Sequence, residues 1–265
     1  PIGYAFAIMH LLTHGFFKAS MFLGAGSVMH GMKDEVNMRK YGGIGKFMPI
    51  TALTFGLGYL AIIGVPPFAG FYSKDKIIET AFNAEGIKGL LIGSAALLGA
   101  LVTAFYMTRV IILTFTGAKR WDEKAHPHES PFLMWGPMAI LAIGSVASGF
   151  LLSSGNRFVS WLAPVVNSHE ADHAEHVERF QPVVVTSMAL VAVVIGVAIA
   201  IVKYRSEVPR VAPTNVRFFT KIARRDLLQD DFNEVVLMRP GQALTKFLVA
   251  TDEKAIDGAV RTVGA

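Results

Sequence analysis

Long apolar runs separated by short charged stretches set the plan of this chain. The runs cover 2–29, 47–84, 87–115, 132–152 and 182–202. Each has at least about 20 residues, enough for a helix across roughly 30 Å of hydrocarbon. Alternating ten-residue strands are absent from the sequence, so the pattern predicts a helical bundle over 1–203 rather than a β-barrel. The second run is too long for one crossing: as a single helix, 47–82 would measure about 54 Å. Gly64, Pro66, Pro67 and Gly70 interrupt it at 64–70. Proline removes a backbone donor and clashes with the preceding turn. Two half-helices joined by unwound backbone fit that length, and such breaks are tolerated at membrane depth only where protein or water satisfies the backbone. The other reading lets 47–64 span alone and leaves FYSKDKI as a wet loop. From 214 to 265 the pattern changes to apolar and charged residues mixed at helical spacing, with Phe218, Phe219, Ile222, Leu227 and Leu228 among them. This predicts an amphipathic helix in two pieces, divided at Pro240 and Gly241, lying along a membrane or protein surface. A small soluble domain is the alternative, with a thin core for some 50 residues.

Composition agrees with a membrane protein. The 265 residues are 52% hydrophobic and only 17% charged, against about 25% charged in soluble domains. The lack of cysteine excludes disulfides, iron–sulfur ligation and thiolate zinc sites within this chain. The net charge of +5 does not argue for nucleic acid, because the basic residues gather in alternate loops. Lys33, Arg39, Lys40 and Lys46 lie in 30–46; Lys119, Arg120 and Lys124 in 116–131; Lys203, Arg205 and Arg210 after the fifth run. The segment 153–181 has Arg157 and Arg179 against Glu170, Asp172, Glu175 and Glu178. The positive-inside pattern predicts a multi-pass protein of the bacterial plasma membrane with loops 30–46 and 116–131 and the C-terminal segment in the cytoplasm. Because the chain starts with Pro1 inside an apolar run, it is expected to be a fragment lacking its N-terminal part.

Candidate chemistry lies in the first two runs. His10, His14 and Lys18 are four residues apart, which puts them on one helix face with about 40° of drift per step. A Lys at the bilayer centre costs roughly 2.5–3.5 kcal/mol on insertion scales, so the stripe points to a polar interior route, and proton transfer is its leading use. Imidazole exchanges protons near neutral pH; an amine needs apolar burial to do so. Moving a charge against about 100 mV requires about 2.3 kcal/mol, equivalent to roughly 1.7 pKa units. Switching a neighbouring charge can supply that. Lys18 is assigned as the central relay, His10 and His14 as carriers, and Lys74 as the terminal site releasing to the outer side. Asp75 either tunes Lys74 or faces water. Arg109, near the end of the third run, either snorkels to the interface or serves as a charge partner. Ser73, Thr13 and Tyr106 either hold water or act as ordinary helix glue. A histidine in a membrane helix can also simply bond across to a neighbour.

One pattern competes. His169-Glu170-Ala171-Asp172-His173 fits the zinc-protease motif H-E-x-x-H, with His176 as a third ligand. The extended metzincin form wants Gly at 176 and His at 179, where this chain has His176 and Arg179. An acidic loop between spans is the simpler reading, as it is for His126 and His128. No metal site and no redox residue is assigned.

Several motifs occur together in order: HLLTHGFFKA at 10–19, YGGI at 41–44, GFYSKDKI at 70–77 and TAFYMTRV at 103–110. They resemble the subunit L family of respiratory complex I, the antiporter-like membrane subunits whose mitochondrial counterpart is NADH dehydrogenase subunit 5. The resemblance implies a proton-translocating translocase subunit at the distal end of the membrane arm, coupled to NADH:quinone electron transfer in other subunits. It implies that 1–31 and 47–84 correspond to the eleventh and the broken twelfth helix and carry the C-terminal half-channel. The later spans then correspond to helices thirteen to fifteen, and the tail to the start of a lateral helix along the neighbouring antiporter-like subunit. The first ten helices and the final anchor helix would lie outside this chain. It also implies no cofactor here, with flavin, iron–sulfur clusters and quinone in partner subunits, and contacts with lipid. Multisubunit cation/proton antiporters and membrane-bound hydrogenases contain related chains and are the alternative; Asp75 beside Lys74 favours the first.

Overall fold

The computed structural model describes every residue except 1, 123–124, 167–178, 207, 209–210 and 265. Lys124, Arg210, the His169–His173 motif, His176 and the acidic residues Glu170, Asp172, Glu175 and Glu178 therefore lie outside the described residues. Among the described residues there is no strand and no cluster of three metal-ligating side chains. The chain forms two units, Pro1–Arg210 and Val211–Ala265.

The first unit is a bundle of α1 (Ile2–Gly31), α2 (Pro49–Ile63), α3 (Ala69–Phe82), α4 (Gly86–Thr114), α5 (Phe132–Ser153), α6 (Arg157–Val166) and α7 (Pro182–Tyr204). Four helical stretches are long and apolar enough to cross a membrane: Gly3–Gly31, Gly86–Thr114, Phe132–Val165 and Pro182–Tyr204. The fold is thus an all-α membrane protein. At about 1.5 Å per residue neither α2 (15 residues) nor α3 (14 residues) reaches across alone. Laid end to end they do, and both pack on α1. Ser27 of α1 meets Thr51, Met21 meets Gly58, Thr13 meets Ser73 and Gly3 meets Thr80. The gap between α2 and α3 therefore faces the middle of α1. Helix α6 was not expected from the sequence; ten residues (Arg157–Val166) with Trp161 and Val165 exposed make too short a signal for a span.

The loops 30–46 and 116–131 pack on each other at one end of the bundle. Gly43 and Gly45 donate backbone hydrogen bonds to Thr116 and Phe115 (2.9 and 3.1 Å). Arg120 ties the loops together, donating to the carbonyls of Arg39, Met38 and Leu113 at 3.1, 3.3 and 2.6 Å. Trp121 Nε1 donates to Gly42. Tyr41 is buried here, its hydroxyl donating to the Glu35 carbonyl. Burial, and secondarily the negative charge of Glu35, push the Tyr41 phenol from its ordinary value up to about 12. A group raised on folding contributes stability that is complete below pH about 10 and is lost as pH rises through about 12. In a spectrophotometric titration Tyr41→Phe is expected to remove phenolate signal only at the alkaline end, near pH 12; loss of signal near pH 10 instead would contradict this packing.

The second unit, taken by itself, is helical: α8 (Phe218–Arg224), α9 (Gln229–Phe232), α10 (Arg239–Thr251) and α11 (Asp257–Val263). None of its described residues is buried, so it has no core of its own. The division expected at Pro240 and Gly241 falls instead at 226–228, where Asp226, Leu227 and Leu228 have φ of 48°, 57° and 65°. Pro240 sits in the first turn of α10, just after a π-helical turn at Asn233–Met238. The wider π turn relieves the clash that proline makes with the carbonyl four residues earlier.

Candidate functional site

The site is built around the end of α2. Gly64 closes that helix in the left-handed region (φ 80°, ψ 40°), donating to the Ala61 and Leu60 carbonyls. Val65 N also returns to Leu60 O. A glycine is needed for this conformation. It is needed for space as well: a Cβ at Gly64 would stand 2.6 Å from Lys74 Nζ and 3.8 Å from Asp75 Oδ1. The ends of both charged side chains thus converge on the break.

Lys74 Nζ donates to the Ile63 carbonyl at 2.6 Å. That carbonyl belongs to the last residue of α2, where the helix has no further amide to offer. The negative end of a helix dipole favours a cation there. Asp75 is 5% exposed, and neither carboxylate oxygen has a hydrogen-bond partner among the described residues. It does not face bulk water. It borders a cavity of about 360 Å³ lined also by Phe6, Tyr72, Lys76, Glu79, Asn156 and Thr186. That volume accommodates several water molecules, and it lies on the side of the bundle away from the basic loops. Lys76 and Glu79 pair at its edge, 2.9 Å apart.

The second group meets α3 from α1. His10 Nδ1 lies 2.9 Å from Ser73 Oγ, and Thr13 Oγ1 lies 3.0 Å from the same oxygen. Ser73 and Thr13 are fully buried. Ser73 and Lys74 are consecutive on α3 and so point about 100° apart: Ser73 turns to α1 and Lys74 to the end of α2. His10 and His14 rings stand 5.7 Å apart, with Phe17 edge-on to His14. Lys18 is turned toward the ring of Phe22, 5.7 Å from its centroid. The structure therefore brings together His10, His14, Ser73, Lys74 and Asp75. Lys18 continues the same helix face but makes no direct hydrogen bond to them. Arg109 stands apart, its guanidinium 5.5 Å from the ring of Tyr204 at the end of α7. Tyr106 is exposed on α4.

One feature outside the predicted residues is Glu129. Its carboxylate accepts hydrogen bonds from Ile50 N, Thr51 N and Thr51 Oγ1 at 2.8, 3.2 and 2.5 Å, at the start of α2. The only hint in sequence is that α2 begins at Pro49 with no Ser, Thr, Asp or Asn before it to cap the helix.

Residues 1–99 match the family model described as NADH:quinone oxidoreductase/Mrp antiporter, TM. Over 99% of its length the chain is 57% identical to NADH-quinone oxidoreductase subunit L of Mycobacterium tuberculosis (strain ATCC 25618 / H37Rv), covering 41% of that protein. It is 36% identical to NAD(P)H-quinone oxidoreductase chain 5 of Picosynechococcus sp. (strain ATCC 27264 / PCC 7002 / PR-6), over 99% of this chain and 43% of the other. The chain thus spans about two fifths of the length of these curated relatives. Among solved structures it is similar to a chain of the Mrp complex from Dietzia sp. DQ12-45-1b, with a TM-score of 0.57 and 23% identity over 100% of this chain and 29% of that one. That likeness speaks for the fold alone.

Proposed function

We propose that this chain is a member of the antiporter-like transmembrane family of NADH:quinone oxidoreductases and Mrp antiporters and that it carries protons through the membrane arm of a quinone-reducing respiratory complex. The observation that carries the reading is the gathering of His10, Ser73, Lys74 and Asp75 at a helix break halfway along α1, beside a cavity of about 360 Å³. Lys18 receives a proton from the rest of the path. His14 and His10 pass it along α1, since imidazole can accept at one nitrogen and give from the other. Ser73 and Thr13 fix the His10 ring. Lys74 holds the proton against the α2 carboxyl end, and Asp75 tunes Lys74 and guides release into the cavity. Electron transfer, flavin, iron–sulfur clusters and quinone belong to partner subunits. A neighbouring antiporter-like subunit contacts the tail. The membrane is a bacterial plasma membrane, with the packed loops 30–46 and 116–131 in the cytoplasm. The second reading is a cation/proton antiporter or hydrogenase subunit; the 57% identity to a subunit L supports the first.

Lys18→Ala, introduced into the complete complex in sealed vesicles, is expected to lower protons moved per NADH oxidised while leaving assembly intact. Its ammonium faces Phe22 rather than a buried partner, so little stability depends on it. An unchanged proton-to-electron ratio removes Lys18 from the path.

A further inference from the structure

Every amide at the start of α2 can be accounted for. Pro49 has no N–H, and Ala52 N donates to the Met48 carbonyl at 2.9 Å. Ile50 N and Thr51 N, the remaining two, both go to Glu129 Oε2, a residue 79 and 78 positions later in the chain. Glu129 Oε1 takes the Thr51 hydroxyl, and the hydroxyls run on from there. Thr51 Oγ1 lies 2.7 Å from Ser27 Oγ of α1, and Ser27 Oγ lies 2.7 Å from Ser130 Oγ, just ahead of α5. Ser27, Thr51 and Ser130 are each at most 3% exposed. One carboxylate thus pins three helices to one another at the loop end of the bundle.

The other end of α2 is where Lys74 docks. Helix α2 is a rod of 15 residues, about 22 Å long, with a carboxylate on its positive end and an ammonium on its negative end. The axial position of the rod decides where the Ile63 carbonyl stands, and the Glu129 clamp fixes that position. We propose that Glu129 is a positioning residue for Lys74, acting through α2: it holds the half-helix in register so that the Ile63 carbonyl meets Lys74 Nζ. This rests on the proton-carrying role proposed above for Lys74. The carboxylate itself need not exchange a proton.

The test uses the whole complex in sealed vesicles, reading assembly on native gels and protons moved per NADH oxidised. Glu129→Ala is expected to assemble and to lower the ratio roughly threefold or more, the range of a lost helix cap read as an equilibrium shift. Glu129→Gln keeps a hydrogen-bond-accepting oxygen and is expected to restore most of the ratio. In a Lys74→Ala background, Glu129→Ala is expected to add no further loss, because the two act through one contact. Should Glu129→Ala fail to assemble, Thr51→Val removes only the hydroxyl link and must lower the ratio by itself. An unchanged ratio in Glu129→Ala or Thr51→Val overturns the proposal, as does a Gln variant no better than Ala, or losses that multiply with Lys74→Ala. If Lys74→Ala lowers the ratio and Glu129→Ala does not, only this inference falls. If Lys74→Ala itself changes nothing, the proton-carrying role falls and takes the inference with it.

Discussion

Lys74→Ala is expected to abolish proton movement along the His10–Lys74 path while the complex still assembles. The side chain occupies the space left by Gly64 and makes one strong bond, to the Ile63 carbonyl at 2.6 Å. Removing it costs the fold the net value of one charge-assisted hydrogen bond, about 1.5–3 kcal/mol. Against that, alanine leaves the path between His10 and the cavity without an exchangeable amine. It also leaves the Asp75 carboxylate without the neighbouring positive charge. The measurement is protons moved per NADH oxidised in sealed vesicles, with assembled complex quantified in parallel. A ratio equal to that of the unmodified complex would remove Lys74 from the path.

Gly70→Ala is expected to be strongly destabilising, because among the glycines a Cβ there makes the closest approach to backbone. Gly70 lies in the first turn of α3, where it crosses α2, and a Cβ there would collide with the Ala61 carbonyl, with Gly64 Cα close behind. These are backbone atoms held by the helix end, so they cannot swing aside as a side-chain tip can. Overpacking of this kind costs roughly 3 kcal/mol or more. The expected result is a sharp fall in assembled complex and in its melting temperature. Gly56→Ala is the control, because a Cβ at Gly56 meets nothing within 4 Å. Equal stability of Gly70→Ala and the control would contradict the close crossing of the half-helices.

Much of this site is legible in the sequence, and the reasons are local. Gly64, Pro66, Pro67 and Gly70 mark the break because glycine and proline act on the backbone at their own positions. The four-residue spacing of His10, His14 and Lys18 places them along one face of α1, where His10 meets Ser73 and Lys18 lies beside Phe22, four residues further on the same helix. What the sequence does not reveal is set by distant partners. Glu129 looks like an ordinary loop acid in AHPHES until the fold brings it to Ile50 and Thr51, 79 and 78 positions away. Ser73 reads equally as glue or as part of a network until His10 and Thr13 are seen on it. Asp75, left open between tuning and water, proves buried, with a carboxylate oxygen near Gly64 at the helix break. The tail misleads in the opposite way. Pro240 is a strong local signal, yet a π turn absorbs it, while Asp226–Leu228 breaks the helix with no glycine or proline present.

The central claim is that the amine of Lys74 gives up and regains a proton, beyond holding the end of α2. Lys74→Arg tests this directly. Arginine keeps the positive charge and can still donate to the Ile63 carbonyl, but its guanidinium does not deprotonate in proteins. With the assembled complex in sealed vesicles, protons moved per NADH oxidised should fall in Lys74→Arg as far as in Lys74→Ala. An arginine variant that pumps at the unmodified ratio would show that a fixed cation suffices at the break, and would contradict the account.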